Sequence, residues 1–543
     1  MKKILSLMLM LVMMVSVFTG CSNSSSGNAA AGGTSGGSSS SGEKVLTVGM
    51  SNDITSLDYA FNYTIANFQV INNINDFLLW FDENGEMQSN ICTDWKIEDS
   101  TTYVYEIRDD VKFSDGTPMT IDDVVYSMER IKNPETASDM NWAYENVESI
   151  EATGDWEITV KLSKPDATWQ YIPATPGCQI TSKAYCEEKG DTFGNPDGLT
   201  LGTGAYKVES WSTGSEIVLT KNENYWGEEP YYDKIVYTVI NDESSMALAM
   251  TSGQIDFCIP ASTDLASTYE NASNCGIYAV EGIANTMLSF NCSAGQCSDV
   301  NLRKAIASCV DTVTLEESQL GKYADVPTAA PFGEGLYVLD PEEWKTRIDA
   351  LDNYDYDLKK AKEYLAASKY DGSKLKFVII ENNTVYANYA QVIQAACAEI
   401  GINIEIEKVT TSEYYAHAYG NDLDANGNRK YDMMINRWTP DYADPVGDLK
   451  VFYYSSNAGA GGANYAAYKN DKVDELLTEQ AALTDNKERS ELLIQTVEEA
   501  TKDMPYKALY YNKAVYCKSN SIDYDMPGFW IYTIAMKDFK PAQ

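Results

Sequence analysis

The residues best suited to chemistry stand together in one stretch, RKYDMMINRWTPDYADP, from Arg429 to Pro445. Trp438, Asp441 and Tyr442 set a carboxylate between aromatic side chains, an arrangement that suits the gripping of a cation, and Arg437 stands within reach of Asp441 as an ion-pair partner. A charge-assisted hydrogen bond from Asp441 to a ligand cation is worth roughly 1.5–3 kcal/mol. A plainer role for Asp441 is to cap a turn or a helix. Asp441 with Asp444 also forms a pair of carboxylates, the equipment of a glycoside hydrolase, so a surface hydrolase is the rival reading.

The elements around this loop decide which use is open to it. Tyr431 to Ile435 is an apolar run short enough for a buried strand, and Trp438-Thr439-Pro440 breaks it into a loop. Upstream, LKFVII (375 to 380) predicts a strand, Val385 to Ile400 a helix ending before Gly401, and Ile402, Ile404 and Ile406 an alternating strand. Strand, helix, strand is the unit of a parallel sheet, and ligands of open α/β sheets bind beyond the carboxyl ends of the strands. Leu358 to Leu365, Asp471 to Leu483 and Asn486 to Thr501 read as further helices, and Tyr506 to Tyr516 as a late strand. Near the start, Val45 to Val48 and Tyr103 to Lys112 alternate as strands, and Asp115-Gly116 marks a turn. Thr120 with Asp123 then caps a helix whose apolar face is Ile121, Val124, Val125, Met128 and Ile131.

Composition removes several classes of function. At 543 residues the chain exceeds one hydrophobic core and predicts two or three lobes. A net charge of −39 argues against a nucleic-acid partner. Histidine occurs once, at His417, which leaves no triad, no histidine-rich metal site and no cofactor to expect. Asp422 to Asn428 imitates the first half of a calcium loop, but position twelve is Met433, so an Asx-rich turn is the reading preferred over a metal site. Beyond Cys21 there are ten cysteines, none in a C-x-x-C; Cys178 with Cys186 and Cys292 with Cys297 are spaced for disulfides, with buried thiols the equal alternative.

At the amino end, Met1 to Lys3 is basic, Ile4 to Phe18 is apolar, and Phe18-Thr19-Gly20-Cys21 precedes a Ser/Gly tract up to Gly42. The pattern resembles a bacterial lipoprotein signal peptide. That resemblance implies cleavage before Cys21, a lipid on its thiol, and a flexible tether from 21 to 43 holding the body at the outer face of the cell membrane. Gly33-Thr34-Ser35-Gly36-Gly37 matches a G-x-S-x-G motif by chance, lacking a strand and helix around it.

The body carries a second resemblance. KFSDGTPMTIDDVVYSMERI (112 to 131), GTGAYKVESW (202 to 211), Asn224-Tyr225-Trp226, SGQID (252 to 256), NTMLSFN (285 to 291) and LRKAI (302 to 306) follow one another as in the extracellular solute-binding proteins of peptide-type ABC importers, family 5. The resemblance implies a two-lobed, periplasmic-binding-protein-like α/β fold of the Venus-flytrap type. Lobe I would span 44–282 with an additional subdomain at about 80–200, lobe II 283–504, and 505–543 would return to lobe I, with hinge crossings near Gly282 and Pro505. It implies no enzymatic activity, a monomer, a peptide ligand and importer permease subunits as partners. It also carries Asp441 onto the position whose aspartate pairs with a ligand's terminal ammonium, with Trp438, Tyr442 and Arg437 around it. A non-peptide solute such as an oligosaccharide or metal chelate is the alternative within the same family.

Overall fold

The computed structural model describes residues 42–61, 64–82, 85–337, 339–528 and 534–543. Cys21, the signal-like segment and nearly all of the Ser/Gly tract lie outside the described residues, and no described helix is long and apolar enough to cross a membrane.

Two long strands organise the body. Cys275–Phe290 and Tyr506–Ser519 pair antiparallel over most of their length, and between them they reach both ends of an eleven-stranded mixed sheet. On one side Met433–Trp438 pairs with the carboxyl half of Cys275–Phe290, followed by Leu375–Ile380 and Ile404–Val409 in parallel. On the other, Phe257–Cys258 pairs with the carboxyl half of Tyr506–Ser519 and leads to Val45–Met50, Lys234–Val239, Glu216–Lys221 and Tyr206–Ser212. The register breaks between Val280 and Ala284, opposite Asn512 to Ala514. Such a break spoils the ladder and bends the strand, and a second follows between Thr286 and Met287. Lys513 bridges the first break, its Nζ 2.7 Å from Glu281 and 2.9 Å from Asp325.

The two-lobed α/β architecture is as expected, and the strand, helix, strand unit holds in detail. Leu375–Ile380 is bounded where the apolar run ends, the helix is Thr384–Glu399, and the parallel partner is Ile404–Val409. A separate four-stranded antiparallel sheet, Cys92–Asp99, Thr102–Ile107, Glu157–Leu162 and Val147–Gly154, is the additional subdomain. Helix Ile121–Lys132 packs against it, with Thr120 and Asp123 exchanging both bonds of a capping box. Gly116, at φ +91°, makes the preceding turn without a Cβ penalty. Arg130 ties the helix back to the lobe through a bidentate pair with the buried Asp58, at 2.7 and 2.6 Å.

Two expectations need correction. The strand at Tyr103 stops at Ile107 rather than Lys112, because Arg108 turns out to grip Asp110 at 2.6 and 2.9 Å. The strand expected at Tyr431–Ile435 runs instead from Met433 to Trp438. Of the two alternatives left open for the cysteines, the structure has free thiols: all ten described cysteines are unbridged. Cys178 lies 3.2 Å from the Tyr144 hydroxyl, while Cys292 and Cys297 pack against different cores.

Lys507 is buried in the shared strand, donating to the Asn353 carbonyl and side chain at 2.5 and 2.9 Å, and burial lowers its pKa to about 8. The unfolded chain, with an ordinary lysine near about 10.4, holds more protons between these values, so stability rises with pH across that window. Relative to Lys507→Met, the wild type should gain about 2 kcal/mol between about pH 7.5 and about pH 10 in denaturant unfolding. A pH-independent difference would contradict the buried, depressed lysine.

Candidate functional site

The later strand boundary changes the origin of the site residues. Arg437 and Trp438 are the last two residues of the strand, paired opposite Thr286 and Asn285, and the loop proper begins at Thr439. Arg437 is exposed, and Trp438 is half-buried with its ring edge-on to Phe452 at 6.1 Å. Asp441 follows three residues later, partly exposed, and its charge is felt at both Tyr442 and Asp448.

The loop is held rigidly from behind. Asp444 and Arg489 are both completely buried and form an ion pair at 2.9 Å, and the Tyr171 hydroxyl donates to Asp444 at 2.9 Å. The other Asp444 oxygen accepts from the Val446 amide at 2.9 Å, at the start of helix Val446–Tyr453. Asp444 itself thus closes the turn that leads into this helix. Tyr442 is buried and stacked on Tyr171, with ring centroids 5.2 Å apart at 11°. Asp444, completely buried, is closed to solvent and so is not available as a catalytic partner of Asp441.

A second acid lies deeper. Asp448, four residues on and one helical turn from Asp444, is fully buried and accepts from Asn285 Nδ2 at 2.8 Å. Its other oxygen, like Asn285 Oδ1, has no hydrogen-bond partner among the described residues. Burial pushes its carboxyl well above the usual range; Asn285 offsets part of this, and the charge of Asp441 adds to it. At the far end of the stretch Arg429 is buried, donating to the carbonyls of His417, Ala418 and Asn464 at 2.9, 2.8 and 3.1 Å, a clamp for the preceding loop. His417 is buried 2.9 Å from the Asp422 carboxylate. Asp424 folds its own turn by accepting from the Asn426 and Asn428 amides, the Asx-rich reading, and no group of three or more acidic, histidine or cysteine side chains is set to hold a metal among the described residues.

Two cavities meet at Arg437. One, of about 570 Å³, opens between the halves of the body: Asn241, Glu243, Ser262 and Asp264 face Asn383 and Arg437 across it. The other, of about 350 Å³, lies within the second half and is walled by tyrosines and Trp438. A cleft with charged side chains on both walls can enclose a small polar ligand.

The family follows from a direct match: residues 86–460 fit the model of the bacterial extracellular solute-binding proteins, family 5. The chain belongs to this family. Among its curated relatives in family 5 are the oligopeptide-binding protein AppA of Bacillus subtilis (strain 168), 26% identical over 94% of each chain. Another is the probable D,D-dipeptide-binding periplasmic protein DdpA of Escherichia coli (strain K12), 24% identical over 86% of this chain and 88% of that one. The solved structure of the periplasmic binding protein DppA from Helicobacter pylori, in complex with the peptide STSA, is 25% identical, with a TM-score of 0.73 over 91% of this chain and 96% of that one. The role of a family 5 protein is to bind a solute outside the cytoplasm for an ABC importer.

Sequence reasoning singled out Arg437, Trp438, Asp441 and Tyr442, and the structure brings them onto one strand end and its loop. It missed Asp448, Asn285, Tyr171 and Arg489. The helical spacing of Asp444 and Asp448 was a usable signal for one of these; Tyr171 and Arg489 are hundreds and tens of residues away, with nothing local to mark them.

Removing one member of a buried ion pair leaves an uncompensated charge, at a cost of about 3–5 kcal/mol. Asp444→Asn should therefore destabilise the protein by that order in urea unfolding. Adding Arg489→Met should recover much of the loss; a single variant as stable as wild type would contradict the clamp.

Proposed function

We propose that this protein captures peptides with a free amino end outside the cell and presents them to the permease subunits of an ABC importer. It acts as a monomer, catalyses no reaction, needs no cofactor, and is tethered to the membrane by a lipid on Cys21. Asp441 takes the ligand's terminal ammonium. The position of that carboxylate carries the reading: it follows the carboxyl end of a central strand whose last residues, Arg437 and Trp438, line the cavities, on a loop braced by Asp444, Arg489 and Tyr171, with a second acid, Asp448, near enough to feel its charge. The peptide-binding relatives and the peptide complex described above support the ligand class.

Lobe I, in this reading, spans 44–282 with its subdomain at about 80–200, lobe II spans 283–504, and 505–543 returns to lobe I. The hinge lies at the bulge of Val280 to Ala284 and at Asn512 to Ala514 opposite it, further along the strand than Pro505. The two halves close on the ligand as a population shift, limited by how much better the closed state holds it. Tight binding near micromolar needs about −8 kcal/mol, so Asp441 supplies an anchor and the cleft walls supply the rest.

Titration calorimetry with one tripeptide, its N-acetylated form and the Asp441→Asn variant tests the anchor. Each change should weaken binding by roughly 10–100-fold, the equivalent of one charge-assisted bond, and the two together should cost little more than either alone. Equal affinity in all combinations would remove Asp441 from the site.

A further inference from the structure

The 350 Å³ cavity has walls unlike those of the cleft it adjoins. Tyr386, Tyr414, Tyr415, Tyr419, Trp438 and Tyr465 supply most of its surface. Their rings already pack on one another as aromatic pairs: Tyr415 is edge-on to Tyr414 at 5.5 Å and 77°, and parallel to Tyr419 at 6.2 Å and 21°. Phe452 lies behind, against Trp438 at 6.1 Å and Tyr465 at 6.2 Å. The Tyr414 hydroxyl is spent on the Ile435 carbonyl at 2.8 Å. Tyr415, by contrast, is 52% exposed, an uncommon state for a ring in an aromatic cluster. At this volume the cavity sits at the low end of those that enclose a ligand, with room for one large side chain.

Arg437 stands at the rim, shared by both cavities. Among the described residues its guanidinium pairs with no carboxylate, in a chain with 80 Asp and Glu against 41 Lys and Arg. A cation left unpaired at the mouth of an aromatic pocket, in so acidic a protein, is placed for a carboxylate that comes with the ligand. Arg437 and Asp441 are four residues apart, at most about 14 Å along the backbone, the length of a few extended peptide residues.

Resting on the peptide reading above, we propose that this protein selects short peptides ending in an aromatic residue, whose ring fills the tyrosine-walled cavity and whose terminal carboxylate pairs with Arg437. Tyr415, Tyr419 and Trp438 form the ring's pocket, and aromatic partners meet it edge-on or offset, geometries an aliphatic side chain cannot reproduce. With Asp441 at the amino end, both charges of a short zwitterionic peptide are then met.

The test is calorimetry with Ala-Ala-Phe, Phe-Ala-Ala, Ala-Ala-Ala and amidated Ala-Ala-Phe against wild type, Tyr415→Ala, Tyr415→Phe and Arg437→Gln, each variant first shown to unfold like wild type. Ala-Ala-Phe should bind about tenfold or more tighter than the other two free peptides. Tyr415→Ala should erase that preference and Tyr415→Phe should keep it. Amidation should weaken binding to wild type by about tenfold or more and make no difference to Arg437→Gln. Peptides that bind wild type without an aromatic preference, or a preference that survives Tyr415→Ala, would overturn the pocket while leaving the peptide reading intact. Equal affinity for the amide would overturn the role of Arg437. Failure of all four peptides to bind would overturn the peptide reading and this proposal with it.

Discussion

Everything in this molecule hangs on one paired ladder, the antiparallel strands Cys275–Phe290 and Tyr506–Ser519, which belong to both halves at once. Backbone hydrogen bonds are costly to leave unmade, so two such strands cannot slide apart, and any movement between the halves must be absorbed where the ladder is already broken. The ladder breaks at Val280 to Ala284, where Lys513 bridges Glu281 and Asp325, and again between Thr286 and Met287. The same ladder sets the site. Asn285, one residue beyond the bulge, pairs opposite Trp438 and donates to Asp448, so the acids of the binding loop are wired to the strand that bends.

The aspartates of this stretch stand in different surroundings. Of the three aspartates in sequence, Asp444 is consumed by Arg489, Tyr171 and a backbone amide, and Asp448 is buried with a single donor. Asp441 remains partly exposed between them. Burying Asp444 and Arg489 stabilises little by itself, since desolvation offsets most of the attraction, but it fixes the direction of the loop. Tyr442, stacked on Tyr171, adds packing to that brace rather than a wall to the cleft.

Much of this was legible in the sequence, and the exceptions have physical causes. Local rules delivered Leu375–Ile380 and the capping box at Thr120, because an apolar run with polar borders and a Thr-x-x-Asp pair act within a few residues. The site strand starts two residues and ends three residues later than expected because Asn436, Arg437 and Trp438 look like loop, and only pairing with Asn285 to Met287 makes them strand. Asp441 was singled out through its motif. Asp444's burial was not, for it depends on Tyr171 and Arg489, which come from other elements, and the same holds for the tyrosine cavity, assembled from helices at Thr384–Glu399 and Thr411–Ala418 and the loop at Tyr465.

The most direct test of the central claim is native mass spectrometry of the body from Lys44 onward, purified from cells grown in peptide-rich medium, with release and sequencing of whatever stays bound. The account predicts one equivalent of short peptides with unblocked amino ends. A bound sugar or metal chelate in their place, or peptides with blocked amino ends, would contradict it.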